Sequence, residues 1–319
     1  TKPALSLDSR FIELLYFLRI TKMQITDGQT ALASAIKASA FIGIHLGCLL
    51  VIFVGFSWTA FAVCLALYVL RMFAITAGYH RYFSHRTYQA TRWFQFLIGF
   101  IGASSAQNGP IWWASHHRSH HQHSDTELDV HSAKLKGLWW SHVGWVLSDQ
   151  FRETQTELVR DLLKIKEIVW LDRCHYIAPI SLAIFVFVLG YMLNLAFPAL
   201  NTSGFQLLVW GFFISTTLLY HGTFCINSLT HMWGSRRFNT TDNSRNSLLL
   251  AIITLGEGWH NNHHRYPGSE RQGFYWWELD LSHYGLKLLS LFGIVWNLRT
   301  APVRIYQEAI ENKKNTHTA

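Results

Sequence analysis

Charge is scarce in this chain: Asp, Glu, Lys and Arg make up 14% of its 319 residues, against about 25% in an ordinary soluble protein. Half the residues are hydrophobic and 15% aromatic, so composition argues against the pair of soluble domains that the length would permit. Cysteine is sparse as well. Cys48, Cys64 and Cys225 lie in apolar stretches, Cys174 lies beside one, and none forms a CxxC pair; they read as reduced packing residues, not as a disulfide framework or thiolate metal site. Residues 1–30 lack a long apolar core followed by a small-residue cleavage site, so no signal peptide is expected, although a few residues are expected to precede Thr1. Internal repeats and low-complexity linkers are missing too, which points to a single domain over 1–319.

What charge there is runs one way. The net charge of +8 and pI near 9.4 suit anionic lipid headgroups or an acidic protein partner better than nucleic acid, given the apolar segments. Mean hydropathy is only +0.14, so a large polar portion must accompany those segments.

Four apolar runs, at about 38–56, 58–79, 176–196 and 205–227, are close to the ~20 residues that cross a bilayer. Arg71 interrupts the second near its later end, where a long side chain can snorkel to the headgroups. The connections around Phe56–Trp58 and Phe197–Gly204 contain no Lys or Arg, whereas the N-terminal segment, the 80–172 loop and the C-terminal third carry nearly all of them. The positive-inside rule then places both termini and the middle loop in the cytoplasm. The expected fold is an all-α integral membrane protein: four spans in two hairpins, with a cytoplasmic helical cap from 80–172 and 228–308. Phe11–Ile20 suits an amphipathic interfacial helix, as does 284–298. Residues 94–106 and 247–256 are apolar but too short to span, and 309–319 reads as a polar, disordered tail.

Three histidine clusters stand just beyond these apolar stretches: His80 with His85, then His117, His120 and His121, then His260, His263 and His264. Together they hold eight of the 18 histidines. Positions i, i+3 and i+4 share a helix face, so each HXXHH set can aim at one point. Asn227 and His231, four apart at the end of the last run, share a face as well. The hydropathy reading places all of them on one side of the membrane. Nine imidazoles exceed the needs of a single tetrahedral ion, so two ions with an open position are expected. The chain has one Glu-x-x-His, Glu257 to His260, which argues against a carboxylate-bridged bundle. Asp125, Glu127 and Asp129 follow the second cluster and are candidates to receive the outer ring N–H groups. His116 and His123 stand beside that cluster without a clear assignment, and His45, His175, His221, His283 and His317 read as ordinary packing or surface residues.

The stretches AGYHRYFSHRTYQA, HHRSHHQHSD, SHVGW, NSLTHMWG and GEGWHNNHHRYP, spread from Gly78 to Pro267, resemble the membrane fatty acid desaturases of the stearoyl-CoA (delta-9) type. The resemblance implies two iron ions held by His80, His85, His117, His120, His121, His231, His260, His263 and His264, with Asn227 contacting one through water. It implies that Gln107, Trp113 and Thr223 line the bend of an acyl tunnel, where placement of one C–C bond sets the position and cis geometry of the product. O2 is the implied co-substrate, since removing hydrogen from an unactivated methylene needs a strong oxidant. Animal acyl-CoA enzymes of this type carry an Arg-Asp pair where Ser115 and His116 stand here, and a tryptophan where Phe224 stands. An acyl group on a membrane lipid or carrier protein therefore competes with acyl-CoA as substrate. With no His-Pro-Gly-Gly haem segment present, a separate donor of the ferredoxin or cytochrome b5 type is implied, with Lys134, Lys136, Arg236, Arg237 and Arg245 available to meet its acidic face or lipid headgroups. The expected location is a multi-pass protein of the bacterial cytoplasmic membrane in preference to the endoplasmic reticulum. The nearest rival reading is a di-iron lipid hydroxylase on the same scaffold. A metal transporter or sensor fits less well, because its ligands should lie mid-span.

Overall fold

The computed structural model describes residues 35, 36 and 38–318; the amphipathic helix expected at Phe11–Ile20 lies outside them. The chain is mostly helical. Its main helices are α1 (Ala38–Val54), α2 (Trp58–Ser84), α3 (Arg92–Ala103), α4 (Pro110–His123), α5 (Ala133–Trp139), α6 (Lys166–Arg173), α7 (Ile177–Ala196), α8 (Gly204–His231), α9 (Leu248–Ile253), α10 (His260–Arg265), α11 (Leu281–Leu291) and α12 (Val303–Thr318). A minimal antiparallel pair, β1 (Gln89–Ala90) with β2 (Val295–Trp296), departs from the all-helical expectation. The pairing is nonlocal, so no local periodicity announces it.

Three helices, α2, α7 and α8, are long and apolar enough to cross a membrane. α1 is apolar but shorter, and it ends at Gly55, whose positive φ of 65° stops the helix. α7 is only 17% buried, whereas α8 is 61% buried; the first presents a lipid-like surface and the second carries the interior. Between them, Gly190 passes against the Ser203 carbonyl so closely that a Cβ would sit 2.4 Å from it.

Arg71 does not snorkel. It is 1% exposed and donates to Leu67 O at 3.2 Å, Ser104 O at 3.2 Å, Thr216 Oγ1 at 2.8 Å and Ser215 Oγ. The hydroxyls of α8 and a carbonyl at the C-terminal end of α3 offer acceptors that make a reach to the headgroups unnecessary. The tail also differs from expectation: residues 309–318 continue α12, whose Ile305 and Ala309 bury against Phe238 and Phe274. The 284–298 segment is part helix, in α11, and part strand, in β2.

The second half of α2 is wound in wide turns from Ala74 to Ser84, with Ser84 Oγ and His85 N bonded five residues back to Tyr79 O and His80 O. In an ordinary α-helix residues five apart point about 140° away from each other. The wide winding brings them nearly into line, which turns the HX4H spacing into a usable pair. Tyr79 and Phe83 from this stretch pack with Ile98, Ile111 and Leu286 in the main core beneath the histidines.

Candidate metal centre

Each histidine segment is aimed by a local device. α4 starts with Pro110 at its first turn, and the two backbone N–H groups that follow, Ile111 and Trp112, donate to Asp172 Oδ1 of α6 at 2.8 and 3.0 Å. A carboxylate from another helix thus caps α4 and fixes its direction. α10 follows a turn through Leu255 and Gly256. Gly256 has φ of 125°, and a Cβ there would lie 2.3 Å from Asp280 Oδ1, so the sharp approach requires glycine. Arg81 braces the same turn, pairing with Glu257 at 3.2 Å and Asp280 at 3.0 Å.

These elements bring nine histidines together in two groups, each with ligand nitrogens within 4.8 Å of one another: His80, His85, His117, His121 and His263 in one, and His120, His231, His260 and His264 in the other. In the first, His263 Nε2 lies 3.0 Å from His80 Nε2 and 2.9 Å from His121 Nε2, while His85 and His117 Nε2 are 2.8 Å apart. One ring nitrogen carries either one hydrogen or one lone pair, so His263 cannot satisfy both neighbours by direct bonding. Adjacent nitrogens about 2.1 Å from a shared octahedral ion would be about 3.0 Å apart. In the second group His231 and His260 Nε2 are 3.1 Å apart. His120 and His264 Nε2 are buried with no hydrogen-bond partner among the described residues. Convergent, unsatisfied, neutral imidazoles fit a transition metal such as iron, so the residues present suit the implied ions.

Four of the outer ring nitrogens are held by acids. His120 Nδ1 donates to Asp129 at 2.9 Å, His231 to Asp125 at 3.2 Å, His264 to Asp242 at 2.6 Å, and His80 to Glu257. Asp125 and Asp129 thus stand where the sequence reading put them; Glu127 is exposed and does not. Asp242 and Glu257 were missed, and neither carries a local spacing signal. His131 was also missed: it lies over His120, ring centroids 4.2 Å apart, beside Asp129. His116 belongs to neither group, its Nδ1 donating to Trp112 O at 2.9 Å. His123 stays outside both. His45 and His221 bond each other at 3.2 Å, His175 bonds Asp172 O at 2.8 Å, and His283 bonds Glu270 at 2.7 Å; the His317 side chain lies outside the described ones.

Burial, reinforced by neighbouring histidines, pushes His85, His117, His121, His260 and His263 well below the ordinary imidazole value, and lowers His264 to about 4 despite Asp242. Burial acts on His120 too, but Asp129 outweighs it and the net shift is upward. Burial alone would raise Asp125, yet its bond to His231 brings it down to about 2. His85, His117, His121, His260, His263 and His264 are therefore available as neutral ligands at neutral pH.

A cavity of about 720 Å³ adjoins the first group, within the about 300–1,000 Å³ range of small-molecule sites. Gln107, Trp113, Thr223 and Asn227 all line it, and Gln107 Nε2 donates to Thr223 Oγ1 at 3.2 Å. Trp113 stacks on His117 with centroids 5.0 Å apart. A smaller space of about 30 Å³, touching Trp113, Thr223, Asn227, His120 and His260, is large enough for a water. Phe224 lines the larger cavity; Ser115 is buried against Trp112 O and does not. Of the cations expected to meet a donor, Lys136, Arg236, Arg237 and Arg245 each donate to a nearby oxygen of the chain, Asp129 O, Asp242 O, Asn262 Oδ1 and Gly234 O. All four cysteines are free.

A sequence model of the fatty acid desaturase family matches residues 56–291. The chain is 36% identical over 253 residues to the sn-2 palmitoyl-lipid 9-desaturase of Nostoc sp. (strain 36), covering 77% of this chain and 84% of that protein. It is 35% identical over 264 residues to the sn-1 stearoyl-lipid 9-desaturase of Anabaena variabilis, covering 82% and 92%. Against the acyl-CoA C20 Delta5-desaturase of Anemone leveillei it is 33% identical over 275 residues, covering 85% and 83%. The histidine groups, the cavity beside them and these matches lead to one conclusion: the chain belongs to the fatty acid desaturase family and is an oxidoreductase that desaturates fatty acyl chains.

Proposed function

We propose that the enzyme places a cis double bond near the middle of a saturated acyl chain, in the delta-9 manner, while the chain is carried on a membrane glycerolipid. The observation that carries this is the meeting of Trp113 and Thr223, in the wall of an apolar cavity, with two histidine groups at its edge. His80, His85, His117, His121 and His263 would hold one iron; His120, His231, His260 and His264, with Asn227 through a water, would hold the other. When bound, the iron pair supplies the oxidising power: two hydrogens from adjacent methylenes, two donated electrons and two protons reduce O2 to two waters.

The chain's own residues do the remaining work. The cavity shields the acyl chain from water, and the Gln107 to Thr223 bond and the Trp113 ring fix the wall against which it bends. Asp125, Asp129, Asp242 and Glu257 fix the tautomer of the rings they hold, leaving Nε2 free to face inward. Ser115 and His116 in place of an Arg-Asp pair, and the acyl-lipid substrates of the two cyanobacterial relatives, support a lipid headgroup. The Lys- and Arg-free connections support four spans in two hairpins, α1 with α2 and α7 with α8, and a cytoplasmic cap in a bacterial membrane. Electrons come from a separate small carrier of the ferredoxin or cytochrome b5 type.

Expression in a host without its own desaturase tests this reading. Monounsaturated acyl groups with a cis bond at carbon 9 are expected on intact lipids. Hydroxylated product alone, or product formed only from supplied acyl-CoA, would overturn the reaction or the headgroup assignment respectively.

A further inference from the structure

A polar cleft of about 400 Å³ lies between α11, the segment after β2, and α12. Its walls carry Arg271, Lys287, His283, Ser269, Ser290 and Thr300, and no carboxylate lines it. Neither cation is spent elsewhere: among the described residues Arg271 and Lys287 form no ion pair, and Arg271 Nε is buried with no hydrogen-bond partner, its guanidinium donating only to Tyr275 O at 2.8 Å. The Ser269 and Ser290 hydroxyls already donate to Arg271 O and Lys287 O, both at 2.7 Å. The recognising groups are therefore the guanidinium and the ammonium, two cations lining one cleft with no carboxylate to neutralise them, which is the equipment of an anion site.

The walls are held in place from behind. His283 Nδ1 bonds Glu270 at 2.7 Å, and Glu270 is engaged by Arg81, whose NH1 donates to the Glu270 carbonyl at 2.9 Å and lies 3.6 Å from its carboxylate. The negative charge behind His283 is thus compensated, and the 269–272 wall is fixed.

The neighbouring helix shows where the cleft opens. Leu281, Tyr284, Leu288 and Leu291 recur at helical spacing along α11 and are all exposed, with Leu291 at 77% and the following Phe292 at 72%. An exposed apolar stripe beside a lysine is the pattern of a helix lying in the headgroup layer, and Lys287, one residue from the stripe, belongs to the cleft. We propose that this cleft binds the phosphate of an anionic phospholipid, with Arg271 and Lys287 as its charge partners and α11 seated among the acyl chains. The site is separate from both the histidine groups and the substrate cavity.

Native mass spectrometry of the full-length protein, released from nanodiscs of phosphatidylglycerol mixed with a neutral galactolipid, tests the assignment. Wild-type protein is expected to retain phosphatidylglycerol, and the double variant Arg271→Ala/Lys287→Ala to retain about tenfold less, with melting temperature and metal content unchanged. The charge-preserving Arg271→Lys/Lys287→Arg protein should recover most of the retention, which a merely structural role would not require. Millimolar inorganic phosphate should compete only weakly with the lipid; full displacement would show a free-phosphate site and overturn the lipid assignment. Equal retention by wild type and the alanine variant would overturn it too, as would an alanine variant that keeps its lipid but loses only the ability to accept electrons from an acidic carrier.

Discussion

The two histidine groups use the same ring chemistry in different electrostatic settings. Three of the four rings in the group of His120, His231, His260 and His264 give their outer N–H to Asp129, Asp125 and Asp242. Among the five rings of the other group only His80 meets a carboxylate, Glu257, and that acid is shared with Arg81. The four-ring group therefore sits in a field of three acids, each held low in pKa against the effect of its own burial. The five-ring group has a single acid and relies on number. Anionic partners make imidazole a stronger donor, so four rings, three of them supported by acids, can with a water serve one ion, while five rings, only His80 of them supported, serve the other.

Removing a ring should have the largest effect and should not distinguish the groups. His120→Ala and His263→Ala are each expected to reduce desaturation to background and to lower bound iron, measured by product analysis and elemental mass spectrometry on the same preparation. Full iron in either variant would remove that residue from the ligand set. Removing an acid should separate the groups. Asp129→Ala or Asp242→Ala is expected to weaken iron binding by about 10–100-fold, read by chelator competition, at the supported site alone. Loss of both ions together would show that the groups are not independent.

Trp113→Ala removes ring contacts to His117 and His80 on the five-ring side and opens the small space that reaches His120 and His260. It should shift double-bond position or chain-length preference while both irons remain, as shown by mass spectrometry of derivatised products. An unchanged product profile would reduce Trp113 to packing.

Acidity gives the smallest test. In metal-free protein the depressed rings bind protons more readily when unfolded, so their contribution to stability is present above about pH 6.5 and is lost as pH falls below it. His120 is raised and has the opposite sign: its contribution is complete below about pH 6.5 and is lost as pH rises through its folded value. Melting temperature should fall on acidification from pH 7 to pH 5, and more steeply in Asp129→Asn. A flat profile would contradict the assigned burial.

Much of this was legible because it is local. HXXHH needs only a helix, and residues 110–123 and 260–265 supply one; the apolar runs likewise show as helices α2, α7 and α8. What sequence could not show depends on distant partners. Asp242 meets His264 across 22 residues and Glu257 meets Arg81 across 176, with no spacing to announce either. Arg71 looked like a snorkelling cation because its hydroxyl partners lie on another helix, 144 and 145 residues away. The HX4H pair was readable as a motif but not as geometry, since the wide winding of α2 that aligns it is set by the surrounding pack.

Iron content per folded chain, measured by elemental mass spectrometry after reconstitution and desalting, bears most directly on the two-group arrangement. Two irons per chain in the wild type, falling to about one in Asp242→Ala under mild chelation, is the expected result. A single ion per wild-type chain, or zinc retained in preference to iron, would contradict it.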